Sequence, residues 1–421
     1  MAEVSEMQAR LLEMGRQARV AAAELAVMDS DAKNACLRRM ASRLRAAADN
    51  IISANRNDVA NAVKNGLSAA MIDRLTLNVE RIENMAAGLE TVASQSDPVG
   101  RVVSENVRPN GLVISKVSVP FGVIGIIYES RPNVTSDAAG ICIKAGNAVI
   151  LRGGSEAFAS NQAIALELDR AAVESGLPDG VVQLLPWTDR AAVPLMLAMD
   201  KYIDLVIPRG GESLIRAVTK DATMPVLKHY KGVCHLFVDK TCDFDSAINI
   251  IVNAKCQRPG VCNALETLLI HRDAAAGFVP LLAAALGAKK VELRGDAEFC
   301  KLCPQALPAT ENDYYAEYLD LILAVRIVDD VKAAVDHINT YGSRHSDGIL
   351  SNDAGNIEYF LKRVDSSSCY VNASTRFTDG GEFGMGAEIG ISTDKLHARG
   401  PMGADELTSY KYLIRGNGQI R

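Results

Sequence analysis

Cys262 stands in a segment whose residue types could support nucleophilic chemistry. In QRPGVCNALETLLIH, residues 257–271, it follows a Pro-Gly turn and precedes an apolar run of β-strand length. A turn without bulky side chains lets a substrate approach the sulfur, and the charge of Arg258 favours thiolate over thiol. A thiolate attacks activated acyl carbons. From these residues alone, a buried turn cysteine without a catalytic role is the more frequent alternative, and both interpretations stay open.

The segment ILRGGSEAF has the pattern of a phosphate-binding turn. A predicted strand delivers Arg152, Gly153 and Gly154 let the backbone approach a ligand closely, and Ser155 begins a helix. Free N–H groups at the start of a helix favour an anion. An ordinary strand-to-helix turn is the alternative.

A second turn of this type lies in PRGGES, where Gly210 and Gly211 connect a strand to a helix. Parallel sheets bind ligands at the carboxyl ends of their strands, so two such turns on one edge predict a long ligand lying across it. The sequence contains neither a GxGxxG after a strand nor a GxxxxGK(S/T) segment, so a nucleotide would have to bind without these common fingerprints.

Other reactive residue types form weaker patterns. His235, His337 and His345 could each act as a base, but each is more typical of a structural histidine with local hydrogen bonds. Cys300 and Cys303 form one CxxC without a second Cys/His pair nearby, which favours coincidence over a zinc site. We therefore predict no metal site.

Composition argues against several classes of function. The net charge is −6 at pH 7 and no Lys/Arg-rich tract occurs, so we expect neither a nucleic-acid nor a membrane partner. The longest low-charge run, 274–288, is too short to span a bilayer. The nine scattered cysteines do not resemble a disulfide framework, and the N-terminus lacks the features of a secretory signal. We expect a cytoplasmic protein.

The elements that must position these residues alternate along the chain. Roughly 95 residues of helical periodicity come first, followed by two β-rich runs joined at Asn110-Gly111, a strong hairpin signal. From residue 121, apolar runs of strand length alternate with amphipathic helices, and a second alternating series begins at residue 233. This alternation predicts an α/β fold with two parallel-sheet domains. The β-like tail, ELTSYKYLIRG, is expected to pair with the hairpin.

Several blocks together resemble the gamma-glutamyl phosphate reductase family of the aldehyde dehydrogenase superfamily, whose members are also called glutamate-5-semialdehyde dehydrogenases. They include VPFGVIGIIYESRPNVTSDAAG, QRPGVCNALETLLIH and VDDVKAAVDHINTYGSRHSDGI, and they cover nearly the whole chain. The resemblance implies an aldehyde dehydrogenase-like fold. It assigns 1–105 and 120–232 to a nucleotide-binding domain, 233–403 to a catalytic domain, and 106–119 with 404–421 to a small β arm for oligomerisation.

The resemblance also implies roles for individual residues. Cys262 matches the catalytic cysteine of the superfamily, and Asn133 falls where the superfamily places the asparagine of its oxyanion hole. That amide, with the backbone N–H of Cys262, would stabilise a tetrahedral oxyanion. Arg152 falls where the superfamily has a lysine facing the adenosine ribose, and a positive charge there suits the 2′-phosphate of NADP(H). The expected cofactor is therefore NADPH.

One departure from the superfamily is informative. Ordinary aldehyde dehydrogenases carry a glutamate that activates water for thioester hydrolysis, whereas the corresponding stretch here, LKHYKGVCHLF, contains none. An acyl phosphate substrate needs no such water, and a base that activated it would waste the acyl group. The resemblance thus implies that Cys262 displaces phosphate from L-glutamyl 5-phosphate. NADPH would then reduce the thioester to L-glutamate 5-semialdehyde, a step of proline biosynthesis.

Substrate binding requires charges of both signs. Arg258, four residues before the cysteine, and Arg209 are candidates to assist phosphate departure. Asn372, Ser374 and Arg376 are candidates to hold the glutamyl amino and carboxylate groups. A solvated surface charge is the alternative for each arginine.

Two other functions compete with this hypothesis. A coenzyme A-acylating aldehyde dehydrogenase also lacks the water-activating base, and an inactive superfamily member could persist as a scaffold. The presence of both Cys262 and Asn133 argues against the scaffold. We further expect a homodimer or homotetramer and a functional association with glutamate 5-kinase.

Overall fold

A computed structural model describes residues 2–421, which form two compact units. The first unit extends to Lys228 and also includes Gly384–Gly390 and Pro401–Arg421. The second comprises His229–Phe383 and Ile391–Gly400. Each unit contains a parallel sheet with associated helices, so the predicted α/β fold class is confirmed. Among the described residues, no helix has the length and apolar character needed to cross a membrane.

Helices are distributed over both units. In chain order they are α1 (Ala2–Leu25), α2 (Ser30–Ala46), α3 (Ala48–Lys64), α4 (Ala69–Leu75), α5 (Val79–Ser94), α6 (Val134–Lys144), α7 (Phe158–Glu174), α8 (Ala192–Leu197), α9 (Glu212–Asp221), α10 (Phe244–Cys256), α11 (Arg272–Ala288), α12 (Ala297–Leu302), α13 (Glu311–Tyr314), α14 (Val331–Tyr341) and α15 (Ala354–Arg363). Short 3₁₀ turns occupy Ser155–Ala157, Thr375–Phe377 and Asp405–Leu407.

Strands alternate with these helices after the helical N-terminal region. They are β1 (Val102–Val107), β2 (Val113–Pro120), β3 (Val123–Tyr128), β4 (Ala148–Gly153), β5 (Val182–Leu184), β6 (Leu205–Arg209), β7 (Cys234–Val238), β8 (Leu265–His271), β9 (Glu292–Gly295), β10 (Leu307–Pro308), β11 (Ile322–Val328), β12 (Ser346–Leu350), β13 (Ser368–Val371), β14 (Ile391–Ser392), β15 (Gly400–Pro401) and β16 (Thr408–Arg415).

The first unit is organised around a four-stranded parallel sheet in the order β5-β4-β3-β6. All six residues of β3 are buried, as expected for a strand of a parallel sheet covered on both faces. In the paired register, Tyr128 lies beside Gly153 on one side and Arg209 on the other. The loops that follow β3, β4 and β6 therefore leave the sheet at the same edge.

A separate antiparallel sheet in the first unit has the order β1-β2-β16. The predicted hairpin and its pairing with the C-terminal tail are both confirmed. Within the turn, Gly111 adopts a φ of +85°, a conformation that favours glycine, and its N–H donates to the carbonyl of Arg108 at 2.8 Å. The first strand of the hairpin, β1, begins at Val102, before residue 106, which was the start of the β arm expected from the sequence.

The second unit contains a seven-stranded parallel sheet in the order β10-β9-β11-β8-β7-β12-β13. Successive side chains of β7 enter different apolar clusters: Leu236 and Val238 join one, and Phe237 joins the other. This alternation follows from the two-residue period of a strand. Helices α10 and α11 contribute to the first cluster, and α14 and α15 contribute to the second. Both faces of the central strands are consequently buried.

Candidate active site

Cys262 lies in the loop between α10 and β8 and is partly exposed. The loop starts one residue after Cys256, where α10 ends, and turns through Pro259 and Gly260 before β8 begins at Leu265. All seven residues of β8 are buried, which anchors the loop at its C-terminal side. The predicted position of this cysteine, at the entrance to a strand and next to a Pro-Gly turn, is confirmed.

The residue after the cysteine fixes the loop to a neighbouring 3₁₀ turn. The buried side-chain amide of Asn263 donates to the carbonyl of Thr378 at 2.8 Å, and the backbone carbonyl of Asn263 accepts from the Thr375 hydroxyl at 2.7 Å. The Arg376 guanidinium donates to the side-chain oxygen of Asn263 and, at 2.9 Å, to Gln257. Buried polar groups held on several sides have one defined position, so the cysteine is presented on a fixed backbone.

The start of β7 and the segment before it pack against the same loop. A Cβ atom at Gly232 would lie only 1.8 Å from the carbonyl oxygen of Cys262, so the two backbone segments are packed together without side-chain space. The thiol of Cys234 donates to that same carbonyl oxygen at 3.2 Å. Burial raises the pKa of Cys234 well above its ordinary value, which keeps this thiol protonated as a donor.

Two guanidinium groups belong to the surroundings of the cysteine. Burial lowers the pKa of Arg376, and the charge of Arg258 lowers it further, whereas Cys262 raises it. Arg376 therefore lies within electrostatic reach of both Arg258 and Cys262. Because Arg258 is exposed and Arg376 is partly buried, the pair presents positive charge beside the sulfur without being fully solvated.

Two histidines that lie far from Cys262 in the sequence reach it in the fold. One ligand atom of His229, one of His345 and the sulfur of Cys262 all lie within 4.8 Å of one another. The two imidazole rings meet edge to face with centroids 5.7 Å apart. Sequence reasoning missed His229 and gave His345 a local structural role. The signal it lacked was the order of the strands, because β7 and β8 are neighbours and β12 lies beside β7.

The other two histidines considered as bases have structural partners. His235 Nδ1 lies 3.0 Å from the Asp347 carboxylate, and both side chains are fully buried. His337 lies 3.3 Å from the Arg326 guanidinium and packs against aromatic rings. Burial lowers the pKa of His337 to about 2, so its imidazole is neutral.

The proposed holders of the glutamyl group differ in their surroundings. The Asn372 amide donates to the Ser351 carbonyl and accepts from the Ser351 N–H, both at 2.9 Å. Its side chain thus completes the hydrogen bonding of the backbone at the end of β12. The Ser374 hydroxyl is buried and accepts from the N–H of Arg376 at 3.3 Å. Arg376 is therefore the member of this group whose charge and partial exposure suit a carboxylate ligand.

The sheet edge of the first unit brings the two Gly-Gly turns together with two acidic side chains. The Glu129 carboxylate accepts from the N–H of Gly211 at 3.2 Å. The Glu156 carboxylate accepts from the Ser130 N–H at 2.5 Å and from its hydroxyl at 2.9 Å. A Cβ atom at Gly154 would lie 2.2 Å from the same Glu156 carboxylate, so a larger residue here would displace that side chain.

The start of α7 differs from the expected anion site. Ser155 is exposed and begins a 3₁₀ turn, and the α-helix begins only at Phe158. The carboxylate of Asp58, on α3, accepts from the N–H of Ala159 at 3.3 Å and from that of Ser160 at 2.8 Å. A protein carboxylate already binds these N–H groups, so a ligand phosphate would depend mainly on side-chain cations.

Two arginines at this edge supply such cations. Arg152 is 8% exposed, and its guanidinium donates to the Thr188 carbonyl at 3.4 Å. Within the described residues, the Nε atoms of Arg152 and Arg209 are both buried without a hydrogen-bond partner. Buried donors of this kind fit the phosphate oxygens of a dinucleotide, and carboxylates of the neighbouring loops fit its ribose hydroxyls.

Asn133 precedes α6 on the same edge. One N–H of its side-chain amide donates to the Asp137 carboxylate at 2.8 Å, which orients the amide and leaves its second N–H for another acceptor. Burial raises the pKa of Asp137 to about 6, although the bond from Asn133 and the charge of Arg209 act in the opposite direction. The orientation of the amide thus depends on a carboxyl group that titrates near neutral pH.

Comparisons with known proteins agree with this architecture. Residues 1–312 match the model of the aldehyde dehydrogenase family. The chain is 54% identical to a gamma-glutamyl phosphate reductase of Thermoanaerobacter pseudethanolicus over 96% of this chain and 98% of that protein. It is 55% identical to the protein of the same name from Moorella thermoacetica, over 97% of each chain.

A solved structure gives the same result. The crystal structure of gamma-glutamyl phosphate reductase from Thermotoga maritima superimposes with a TM-score of 0.95 at 45% identity, covering 98% of this chain and 99% of that chain. Similarity of this extent in both sequence and fold establishes membership, as the sequence resemblance predicted. The chain belongs to the aldehyde dehydrogenase family and, within it, to the gamma-glutamyl phosphate reductases.

Proposed function

We propose that this protein reduces L-glutamyl 5-phosphate to L-glutamate 5-semialdehyde with NADPH, releasing phosphate, as a step of proline biosynthesis. The observation that carries the proposal is a partly exposed cysteine on a rigidly held loop beside two guanidinium groups. A nucleophile next to cations suits an anionic, activated acyl substrate. The names of the relatives support the same substrate.

The first step uses Cys262 as its thiolate. The sulfur attacks the acyl carbon, the carbon–oxygen bond to the phosphoryl group breaks, and phosphate leaves with the bonding electron pair. A thioester on Cys262 remains. Arg258 and Arg376 supply the positive charge that stabilises both the bound acyl phosphate and the departing phosphate. Arg376, whose backbone N–H is bound by the Ser374 hydroxyl, is also our candidate to bind the substrate carboxylate.

The cofactor is expected to bind to the first unit. Arg152 would contact the 2′-phosphate of NADPH, and Arg209 would contact another of its phosphate oxygens. The turns formed by Gly153, Gly154, Ser155, Gly210 and Gly211 would let the cofactor lie close to the backbone. When bound, NADPH supplies the hydride that reduces the thioester. Cys262 returns to a thiolate as the semialdehyde departs.

Asn133 remains our candidate for the side chain that stabilises the oxyanion. Its amide is already oriented by Asp137, so no reorganisation is needed when negative charge develops on the substrate oxygen. The stretch between Leu227 and Phe237 supplies histidine and glycine but no carboxylate, which agrees with a reaction that does not use water as a reactant.

Self-association is proposed to involve the antiparallel arm. On β16 the side chains of Tyr410, Tyr412 and Ile414 are 51%, 57% and 63% exposed. Alternating aromatic and branched residues that face solvent on a strand mark a surface suited to a second copy of the chain. A homodimer or homotetramer would cover them, and light scattering of Tyr412→Glu would reveal a smaller species.

We propose that the protein acts in the cytoplasm and associates with the enzyme that makes its substrate. All nine cysteines are free thiols, which suits the reducing cytoplasm. Acyl phosphates hydrolyse readily, so a functional association with glutamate 5-kinase would shorten the exposure of the substrate to water.

The reverse assay tests the function directly. Purified protein is mixed with glutamate semialdehyde and NADP⁺, with and without phosphate, and the absorbance of reduced cofactor is followed. We expect reduction that requires phosphate and that disappears in Cys262→Ala while NADP⁺ affinity is retained. Reduction that requires coenzyme A would support the acylating dehydrogenase, and substantial turnover by Cys262→Ala would refute the mechanism.

A further inference from the structure

The group formed by His229, Cys262 and His345 has the composition of a soft metal site. The three ligand atoms come from separate segments of the second unit and lie within 4.8 Å of one another. Among the described residues, no other three histidine, cysteine or acidic side chains bring their ligand atoms this close together. Cys300 and Cys303, the CxxC pair, belong to no such group. The fold therefore assembles a group of ligands that the sequence pattern did not indicate.

His229 is oriented as metal-binding histidines usually are. Its Nδ1 lies 2.8 Å from the carbonyl oxygen of Ile391. A carbonyl only accepts hydrogen bonds, so Nδ1 carries the proton and the lone pair resides on Nε2. A ring nitrogen held by a backbone carbonyl fixes both the tautomer and the ring orientation of a histidine ligand.

His345 is held by a chain of buried hydroxyl groups. Its Nδ1 lies 2.9 Å from the Ser346 hydroxyl, which lies 2.6 Å from the Thr378 hydroxyl. The phenol of Tyr370 continues the chain, 2.6 Å from Thr378. These contacts restrict the imidazole to one orientation beside Cys262, as the carbonyl of Ile391 does for the other histidine.

We propose that Cys262, His229 and His345 form a binding site for Zn²⁺ that blocks the nucleophile. Thiolate and imidazole are the preferred zinc ligands, and three protein ligands leave a fourth position for water. Zinc–sulfur and zinc–nitrogen bonds of about 2.3 and 2.0 Å place tetrahedral ligands roughly 3.5 Å apart, so the group closes by about 1 Å. A sulfur–zinc bond forms, the thiol proton passes to solvent, and no atom is oxidised or reduced.

The surrounding charges make the site selective. Arg258 and Arg376 repel any cation that approaches Cys262, and the ligand set contains no carboxylate. Mg²⁺ and Ca²⁺ depend on oxygen ligands and cannot offset this repulsion, whereas the zinc–thiolate bond can. We therefore expect binding of Zn²⁺ and Co²⁺, and no binding of Mg²⁺ or Ca²⁺.

The test uses Co²⁺ as a spectroscopic probe of the full-length protein. Titration should give one thiolate-to-cobalt absorption band with the d–d bands of tetrahedral cobalt, saturating at one ion per chain and displaced by Zn²⁺. Cys262→Ser should abolish the thiolate band. His229→Gln should weaken Co²⁺ affinity by at least about tenfold, since even supporting residues of metal sites contribute that much. His345→Gln should weaken Co²⁺ affinity as well, but His345 is buried and its replacement could disturb folding. His229→Gln, at a less buried residue, keeps the test decisive in that case.

The matched controls are His397→Gln, which changes an exposed histidine, and the pair Cys300→Ser with Cys303→Ser. Both should bind Co²⁺ like the natural chain. A spectrum without a thiolate band, or one that survives Cys262→Ser, or one that is lost with Cys300 and Cys303, would overturn the site. The absorbance readout does not depend on reductase activity. Only the further expectation, loss of turnover in Zn²⁺ and its recovery with a chelator, rests on the proposed function.

Discussion

Replacement of Gly232 by alanine probes the backbone contact that positions Cys262. The new Cβ atom would lie 1.8 Å from the carbonyl oxygen of Cys262 and 2.5 Å from its Cα. Real Cβ atoms show essentially no contacts under 3.0 Å, so the two segments must separate from 1.8 Å to at least 3.0 Å, a shift of about 1.2 Å. The obstructing atoms are backbone, which no rotamer change can move aside.

The expected consequence is mainly catalytic. A displacement of about 1 Å in a reacting group can lower the rate roughly 100-fold, and overpacking of this kind costs about 1–3 kcal/mol of stability. We expect kcat/KM to fall by about two orders of magnitude while the protein still folds. The Cys234 thiol also donates to the displaced carbonyl, so the shift should disturb that hydrogen bond as well.

Steady-state reduction of NADP⁺ by glutamate semialdehyde and phosphate measures this effect, and a denaturant titration confirms folding. The matched control is Gly287→Ala, because a Cβ atom at that site on α11 meets nothing within 4 Å and alanine favours a helix. A Gly232→Ala protein that folds and retains activity within threefold of the natural chain would refute the proposed role of this contact.

Three further predictions concern charge. Arg152→Gln should raise KM for NADPH by about 10–100-fold, as loss of a charge-assisted contact does, and leave KM for NADH within about threefold; equal losses with both cofactors would contradict its role in recognising the 2′-phosphate. Lys255 and Glu266 form a fully buried ion pair at 2.7 Å, in which burial raises the pKa of Glu266 to about 7. Lys255→Ala should therefore destabilise the fold by about 3–5 kcal/mol, whereas replacing both residues by apolar ones of similar volume should cost much less, as denaturant midpoints would show. For Asp137, burial raises the pKa from 3.8 to about 6, so the folded state loses stability as pH rises from about 4 to 6. Asp137→Asn should abolish that loss, giving a higher midpoint than the natural chain at pH 8 and an equal one near pH 4.

The parts of the fold predicted from sequence are those with strong local signals. The continuous apolar runs of β3 and β8, the hairpin glycine and the β-like tail each specify their own structure. Short elements were missed, among them β10 and α13, because two to four residues carry no detectable period. In the turn at Asn110-Gly111 only the glycine adopts positive φ, since the loop spans more residues than a two-residue turn.

In the candidate site, too, features with local sequence signals could be predicted, and features set by residues distant in the sequence could not. The placement of Cys262 at the entrance to a strand could be predicted from its own segment, because a turn and a strand are local features, whereas its proposed catalytic role came from the family resemblance. The start of α7 could not be predicted, since the carboxylate that binds its N–H groups comes from Asp58 on another helix. The sequence also did not indicate that the Asn372 amide bonds to the backbone of Ser351, and its role toward the substrate stays a prediction. In each case a residue distant in sequence determined which polar groups remain for a ligand.

The surroundings of Cys262 show why spacing alone cannot describe such a site. Gly232 and Cys234 approach its carbonyl because β7 pairs with β8, and His345 arrives because β12 pairs with β7. The same strand order that positions Cys262 therefore also brings an imidazole, that of His345, next to it. In the proposed mechanism the sulfur of Cys262 attacks an acyl phosphate, and in the proposed metal site it coordinates Zn²⁺, so the two outcomes compete for one pair of sulfur electrons. Added zinc should accordingly act as a competitor of the acyl substrate rather than of the cofactor.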